Sequence, residues 1–281
     1  MRHELVLALG ILAGPVTGCA PEQSLPTTAW LQQLGFQTPV GPDVVQIEMV
    51  LLERPLNDRY INDELWQAAD EQVVPLESKA VLEENGFRVG QIGGLTPAGL
   101  QTLLTSEQSC ADPRLLFARA GRAHDLPLGP VLSRCQFRMQ QHDRAEPVSF
   151  DQAICVLNLV PDRTSDGRLR LRFTPQIQYG QSRLEMHPAD DESGLLLRPE
   201  KPRQSYANLA WEVTLAPNQY LVVGTRLDRP ESLGYRCFFR PEEARPVQRL
   251  LVIRAGHAAA LADFPADSEK PSAALALQAA Q

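Results

Sequence analysis

Cysteine 19 is the reactive side chain with the most informative neighbours. It ends the sequence Val16-Thr17-Gly18-Cys19, in which a branched residue and two small residues precede the thiol. A thiol can accept a lipid group, and small neighbours let a peptidase reach the peptide bond before it. The preceding apolar run, Leu5 to Ala13, is shorter than the roughly 20 residues of a membrane-spanning helix. This arrangement predicts a processed targeting segment at residues 1–18.

The same four residues resemble the lipobox of bacterial lipoprotein signals. In that family diacylglycerol is transferred to the cysteine thiol, and the cysteine becomes the first residue of the mature chain. The resemblance implies that Cys19 carries two or three acyl chains, which would anchor the protein stably in a membrane. Ala20 follows it, not the aspartate that favours inner-membrane retention, which implies the periplasmic face of the outer membrane. The chain is also similar to uncharacterised envelope lipoproteins of planctomycete type, which imply no activity.

Four further cysteines could form disulfides or remain buried as free thiols. In an oxidising compartment an even number allows two disulfides, with three possible connectivities. The sequence favours at least one disulfide and leaves the pairing open. Their spacing matches no zinc-binding pattern, so neither a metal nor a cofactor is predicted. The four residues are Cys110, Cys135, Cys155 and Cys237.

Other polar residues suggest binding more than catalysis. Arg168, Arg170 and Arg172 could form a stripe that binds an anionic partner, or could keep an exposed strand face soluble. The acidic sequence from His187 to Glu192 lacks the spacing of a calcium loop and is typical of a solvated loop. No recognised nucleophile–base or metalloprotease motif is present. The alternative function is a periplasmic enzyme that acts on a surface polymer through unidentified carboxylates.

Composition excludes one class of partner and limits the architecture. The net charge of −7 argues against a general binder of nucleic acid or of anionic lipid, since both need a basic surface. A hydrophobic content of 43% is ordinary for a globular core, and about 260 mature residues suit one large domain or two small ones.

Apolar periodicity divides the mature chain into segments. One alternates strand and helix signals in the order βααβα, and Asn85-Gly86 should end its second helix with a left-handed glycine. The next has period-two alternation, typical of an antiparallel sandwich or partly open barrel. We therefore predict an α+β fold, divided into a signal peptide (1–18), a flexible tether (19–43), a small α+β module (44–130), a β-rich module (131–256) and a disordered tail (257–281).

The β-rich module resembles the strand series of the secretin C-terminal module. The resemblance lies in Gly167–Ile177, Trp211–Leu215, Asn218–Gly224 and Gln248–Arg254. It implies a relation to a secretin-like assembly of the envelope. A pore is not implied, because the gate-forming glycine-rich hairpin and the N-terminal ring modules of secretins are missing. The sequence thus favours an envelope lipoprotein that binds another envelope component or self-associates, without catalysis.

Two of these segments are predicted to form a hairpin. Trp211–Leu215 and Tyr220–Gly224 are joined by residues 216–219, which contain the turn formers proline and asparagine. In this register Trp211 lies opposite Gly224 and covers a residue without a side chain. The Trp211 ring should then face the core.

The lipid anchor can be tested by replacing the thiol. In Cys19→Ser the acceptor of diacylglycerol is lost, so we expect unprocessed precursor that incorporates no lipid. Metabolic labelling with a tagged fatty acid measures this directly. Equal labelling of the wild-type chain and the variant would contradict the prediction.

Overall fold

The computed structural model describes residues 43–141, 144–188, 194–241 and 245–255. The predicted signal peptide (1–18), Cys19, the tether up to residue 42 and the tail (257–281) lie outside these ranges. The strands are β1 (Val44–Pro55), β2 (Phe87–Ile92), β3 (Cys110–Arg119), β4 (His124–Pro127), β5 (Leu132–Gln141), β6 (Arg144–Arg163), β7 (Leu169–Gln178), β8 (Arg183–Pro188), β9 (Leu195–Glu200), β10 (Arg203–Ser205), β11 (Trp211–Leu215), β12 (Tyr220–Thr225), β13 (Phe239–Arg240) and β14 (Val247–Ala255). The α-helices are α1 (Leu65–Ala68), α2 (Leu76–Glu84), α3 (Ala98–Thr105) and α4 (Leu233–Phe238), with a π-helical turn at Tyr60–Glu64 and 3-10 turns at Glu71–Val73 and Ala207–Leu209.

The first sheet has the strand order β2-β12-β14-β1-β3, and its paired strands are antiparallel. β13 also pairs with β14. The sheet combines strands from both of the segments 44–130 and 131–256. Its central strands are apolar on both faces, which suits strands that are covered on both sides.

The second sheet has the order β10-β7-β6-β4, with β11 also pairing with β7. β6 is 20 residues long and serves two ladders. Its first half, up to Ala153, pairs with β5. Its second half, from Ile154, pairs with β7 and β4. β6 therefore ties the β5 ribbon to the second sheet.

Two apolar layers hold these parts together. Between the sheets, side chains such as Ile47 and Val223 of the first sheet pack in one cluster with Leu171 and Phe173 of the second. On the outer face of the first sheet, a second cluster joins residues such as Leu250 to the short helices. Its helical members are Ile61, Leu65, Trp66, Leu100 and Leu103.

The predicted α+β fold class is wrong. The described residues form mostly antiparallel β-sheets in a sandwich-like arrangement, with only a few short helices. The four α-helices contain 4, 9, 8 and 6 residues. The βααβα order did not reveal that β3, β12 and β14 would pair with β1 and β2. These strands enlarge the sheet. The helices that pack on it are short and do not form a continuous layer.

The predicted helix end at Asn85-Gly86 is confirmed. Asn85 is the C-cap of α2, and Gly86 has a φ of +78°, which favours glycine. A Cβ atom on Gly86 would lie 1.8 Å from Ser232 Oγ. The glycine therefore both reverses the chain and lets the N-cap of α4 approach it.

The predicted 211–224 hairpin is wrong, because the two strands belong to different sheets. β11 pairs with β7, and β12 pairs with β2 and β14. Trp211 is opposite Phe173, not Gly224. The ring beside Gly224 is that of Trp66, whose Cζ2 atom would lie 3.2 Å from an added Cβ. The sequence Ala216–Gln219 thus leads the chain from one sheet to the other.

The burial predicted for Trp211 is confirmed. Its side chain is 3% exposed. Its ring stacks on Phe173 with a centroid distance of 5.1 Å and an interplanar angle of 17°, and it lies 6.1 Å from the ring of Phe87. Trp211 therefore links a residue of the first sheet to the second sheet through aromatic contact.

We expect Trp211→Ala to lower the free energy of unfolding by about 3–5 kcal/mol, the usual cost of truncating a large buried aromatic residue. Glu212→Ala is the matched control, because Glu212 is exposed and only pairs with Arg172 across 3.5 Å; its cost should be under about 1 kcal/mol. Denaturant titrations measure both values. A Trp211→Ala protein as stable as wild type would contradict the observed packing.

Candidate functional site

The β8–β9 hairpin is the most unusual surface feature of the described residues. Among the described strands, β8 and β9 pair with each other alone and form a separate two-stranded sheet. Their register runs from Arg183 opposite Glu200 to Pro188 opposite Leu195. An isolated two-stranded hairpin is marginally stable in water. A covering partner would therefore stabilise this part of the molecule.

One face of this hairpin is apolar and exposed. Side chains alternate between faces along a strand, so Leu184 and Met186 share a face with their cross-strand partners Pro199 and Leu197. Leu195 lies on the same face, two residues before Leu197. The exposed fractions are 68% for Leu184, 69% for Met186, 66% for Leu195 and 63% for Leu197. We call Leu184, Met186, Leu195, Leu197 and Pro199 the apolar face.

The opposite face of the hairpin is mainly polar. It carries Arg183, Glu185, Arg198 and Glu200, together with Leu196, which is 46% exposed. The hairpin is thus amphipathic, and among the described residues neither face contributes a member to the two buried apolar clusters. Large apolar side chains gathered on one exposed face can mark a site of interaction.

The base of the hairpin is fixed to the second sheet. β10, which follows β9, pairs with the end of β7. The Tyr179 amide donates a hydrogen bond to the Pro202 carbonyl at 2.9 Å, and the Gly180 amide donates to the Asp151 carbonyl at 3.1 Å. Arg203 pairs with Glu200 and also lies 3.6 Å from Asp125. These bonds attach the apolar face to the second sheet through the base of the hairpin.

Our sequence reasoning missed this surface. The signal was present: apolar residues alternate at Leu184 and Met186, and three leucines follow at 195–197. Such a pattern is also typical of a half-buried strand, so it does not reveal exposure. Whether a third strand covers the hairpin depends on the order of strands in the folded protein, and among the described strands none does.

A cluster of three thiols lies in the core. Cys135 of β5, Cys155 of β6 and Cys237 of α4 are each at most 5% exposed. The Cys155 thiol has hydrogen-bond contacts with both Cys135 and Cys237. The phenol of Tyr206 is close enough for these thiols to influence its pKa, although burial is the main cause of its raised pKa. The structure thus brings together three of the four cysteines.

The chemistry of this cluster favours protonated thiols. The hydrogen bond with Cys155, together with burial, raises the pKa of Cys135 above its usual range. For Cys155, the hydrogen bond with Cys135 lowers the pKa, but the contact with Cys237 and burial outweigh it, so the pKa lies well above normal. Because the thiolate is the nucleophile, Cys135 and Cys155 should react slowly.

Cys110 lies apart from the cluster. Its thiol donates to the carbonyls of Leu103 at 3.3 Å and Leu104 at 3.2 Å. All four cysteines are free thiols in the structure. The disulfide expected in an oxidising compartment stays a prediction.

The three arginines predicted as a stripe each have a carboxylate partner. Arg168 Nε lies 2.7 Å from Asp166 Oδ2, and Arg172 Nε lies 3.5 Å from Glu212 Oε2. Arg170 pairs with Asp162, and this hydrogen bond lowers the pKa of Asp162. An anionic ligand would have to compete with these carboxylates.

Polar residues around the π-helical turn and β2 line a recess. It has a volume of about 750 Å³ and contains Trp66 and Arg88. Arg88 is held by two hydrogen bonds to Glu71, of 2.7 and 3.2 Å, and its guanidinium lies 4.3 Å from the centre of the Trp66 ring. Within the described ranges no group of three or more His, Cys, Asp or Glu could hold a metal ion. Asp190, Asp191 and Glu192 lie outside those ranges.

No protein-family model and no curated protein matches the chain. Among the helices of the described ranges, none combines the length and apolar character needed to cross a bilayer.

Solved structures with some likeness come from the Salmonella SPI-1 type III secretion injectisome. The secretin InvG is 11% identical with a TM-score of 0.18, covering 75% of this chain and 60% of that chain. The basal-body model of InvG, PrgH and PrgK has the same identity and TM-score, with 75% and 42% coverage. The InvG secretin-domain β-barrel is 12% identical with a TM-score of 0.16, covering 75% and 58%. This chain spans less than two thirds of each, and TM-scores this low do not establish a common fold.

We expect any disulfide in protein taken from an oxidising compartment to contain Cys155, because Cys155 contacts two other thiols. Peptide mapping without reductant should find Cys155 joined to Cys135 or Cys237, with Cys110 still alkylated as a thiol. Cys155→Ala should abolish the bond, whereas the control Cys110→Ala should preserve it. A disulfide that contains Cys110 would be incompatible with the observed geometry, and four free thiols would exclude the predicted bond.

Proposed function

We propose that the chain is a membrane-anchored envelope lipoprotein with a non-catalytic binding role, and that the apolar face is its binding surface. The observation that carries the binding role is the exposure of this face on a hairpin attached to the second sheet. Large apolar side chains in water are unfavourable, by about 1.5–3 kcal/mol each when compared with full burial. A partner that covers the face would recover part of this free energy.

The anchor would hold this binding surface near a membrane. The lipobox-like sequence ends at Cys19, which precedes Asp43 by 24 residues. A chain of that length spans at most about 80 Å when fully extended. The partners of a lipidated protein would therefore be components of the envelope, on the periplasmic face of the outer membrane in our proposal. A relation to a secretin-like assembly rests on the sequence pattern alone, because β7 and β11 lie in the second sheet whereas β12 and β14 lie in the first.

The electrostatics of the described residues support binding over catalysis. Arg88, Arg168 and Arg172 are each held by a carboxylate. The thiols of Cys135 and Cys155 are kept protonated by their surroundings. Enzymes usually place groups with reactive protonation states in a cleft, whereas here the exposed feature is an apolar surface.

A photoreactive residue in place of Met186 tests the binding role in intact cells. We expect irradiation to attach the chain to a lipid or protein of the envelope, because Met186 is at the centre of the apolar face. The matched control places the same residue at Glu185, which is adjacent in sequence and on the opposite face. Mass spectrometry of the adducts measures both yields.

Equal yields at the two positions, or no adduct at Met186, would contradict a binding role for this face. A surface polysaccharide attached at either position would favour the enzyme alternative.

A further inference from the structure

We infer that the occupant of the apolar face is the surface of a lipid bilayer. The inference deepens the proposed function, on which it rests, by naming the partner of the same surface. In this arrangement the hairpin lies flat on the membrane, with Leu184, Met186, Leu195, Leu197 and Pro199 among the lipid tails nearest the headgroups. The folded part of the protein is then held at the membrane by a second contact besides Cys19.

The size of the face argues against a second copy of the chain as occupant. Six paired residues at about 3.3 Å each make a ribbon about 20 Å long, and two strands about 4.8 Å apart make it about 10 Å wide. Such a footprint is far smaller than the roughly 800 Å² that each partner buries in a stable complex. A bilayer needs no complementary shape and no minimum area.

The hairpin has the apolar and polar faces expected of an element that lies at the surface of a membrane. Amphipathic elements in the membrane plane bury their apolar face about 5–10 Å deep and leave the polar face in water. Here the polar face carries Arg183, Glu185, Arg198 and Glu200. The outer edges of β8 and β9 have no strand partner within the described residues. Hydrocarbon cannot satisfy such backbone groups, so the hairpin should rest at the interface and not cross the membrane.

The length of chain before the described residues makes this contact geometrically possible. If Cys19 is in the bilayer, Asp43 lies within about 80 Å of it. The hairpin therefore stays tethered to the membrane, which raises its effective concentration at the surface. A weak apolar contact then suffices to keep the face occupied.

Apolar contact, not charge, should drive this binding. The polar face carries two basic and two acidic residues, Arg183, Arg198, Glu185 and Glu200. We therefore expect the contact to form on uncharged phosphatidylcholine vesicles and to resist added salt, because salt screens charges but not apolar contacts.

The test uses the lipidated chain reconstituted into phosphatidylcholine vesicles. A polarity-sensitive fluorophore is attached to Met186→Cys or, as a second position on the same face, Leu197→Cys. Glu185→Cys is the control on the opposite face, and the unsubstituted chain, with three of its thiols in the core, is the blank. All three positions are exposed, so the substitutions should preserve the fold, which circular dichroism verifies.

We expect the labels at 186 and 197 to shift to shorter emission wavelength and to be quenched several-fold more by lipid-borne nitroxide than the label at 185. Iodide in the water should quench them less than the label at 185. Equal iodide quenching at all three positions would overturn the inference. Protection from both quenchers would also overturn it, since it would mean that a second copy covers the face.

The experiment distinguishes failure of the bilayer contact from failure of the lipid anchor. If Cys19 carries lipid but the 186 and 197 labels remain in water, only the present inference fails. If the chain carries no lipid, the anchor fails, and the same labelled chains added to preformed vesicles still measure whether the face binds them.

Discussion

The buried amide of Asn85 joins parts of the molecule that are far apart in sequence. Its Oδ1 accepts a hydrogen bond from the Gln140 amide at 2.8 Å, and its Nδ2 donates to the Gln140 carbonyl at 3.1 Å and to the Val81 carbonyl at 3.0 Å. The Asn85 side chain thus caps α2. It also bonds to both backbone groups of Gln140, as a neighbouring strand would do along the edge of β5. Because each buried group left unpaired costs about 1–3 kcal/mol, the junction between α2 and the β5–β6 ribbon depends on this amide.

The junction between α2 and the β5–β6 ribbon is connected to the exposed hairpin through β6 and β7. β5 is paired with the first half of β6, and the second half of β6 carries β7, from which the hairpin extends. Asp151, near the middle of β6, accepts the hydrogen bond from Gly180 at the hairpin base. The surface proposed to bind is therefore attached to the most extensively paired strand of the second sheet, and its orientation follows from that strand.

Sequence reasoning succeeded where the determining forces are local. The Asn85-Gly86 helix end rests on the conformational freedom of glycine. The period-two alternation predicted for the β-rich segment is seen in β7, where Leu169, Leu171 and Phe173 are buried. It failed where partners are distant. A proline–asparagine turn at 216–219 suits a hairpin as well as a passage between sheets. Pairing of β11 with β7, and of β12 with β2 and β14, decides between them. The apolar face was missed for the same reason, since alternation indicates two faces without indicating what covers either one.

The position of β14 has a consequence for how the chain folds. It is the last described strand, yet it lies between β1, the first, and β12. The first sheet therefore cannot close until residues 247–255 are available, and most of its contacts join distant parts of the chain. Topologies of this kind fold slowly, and strand edges left unpaired during the wait are prone to aggregation. Pairing of residues 247–255 with both β1 and β12 is therefore the step that joins the two halves of the first sheet.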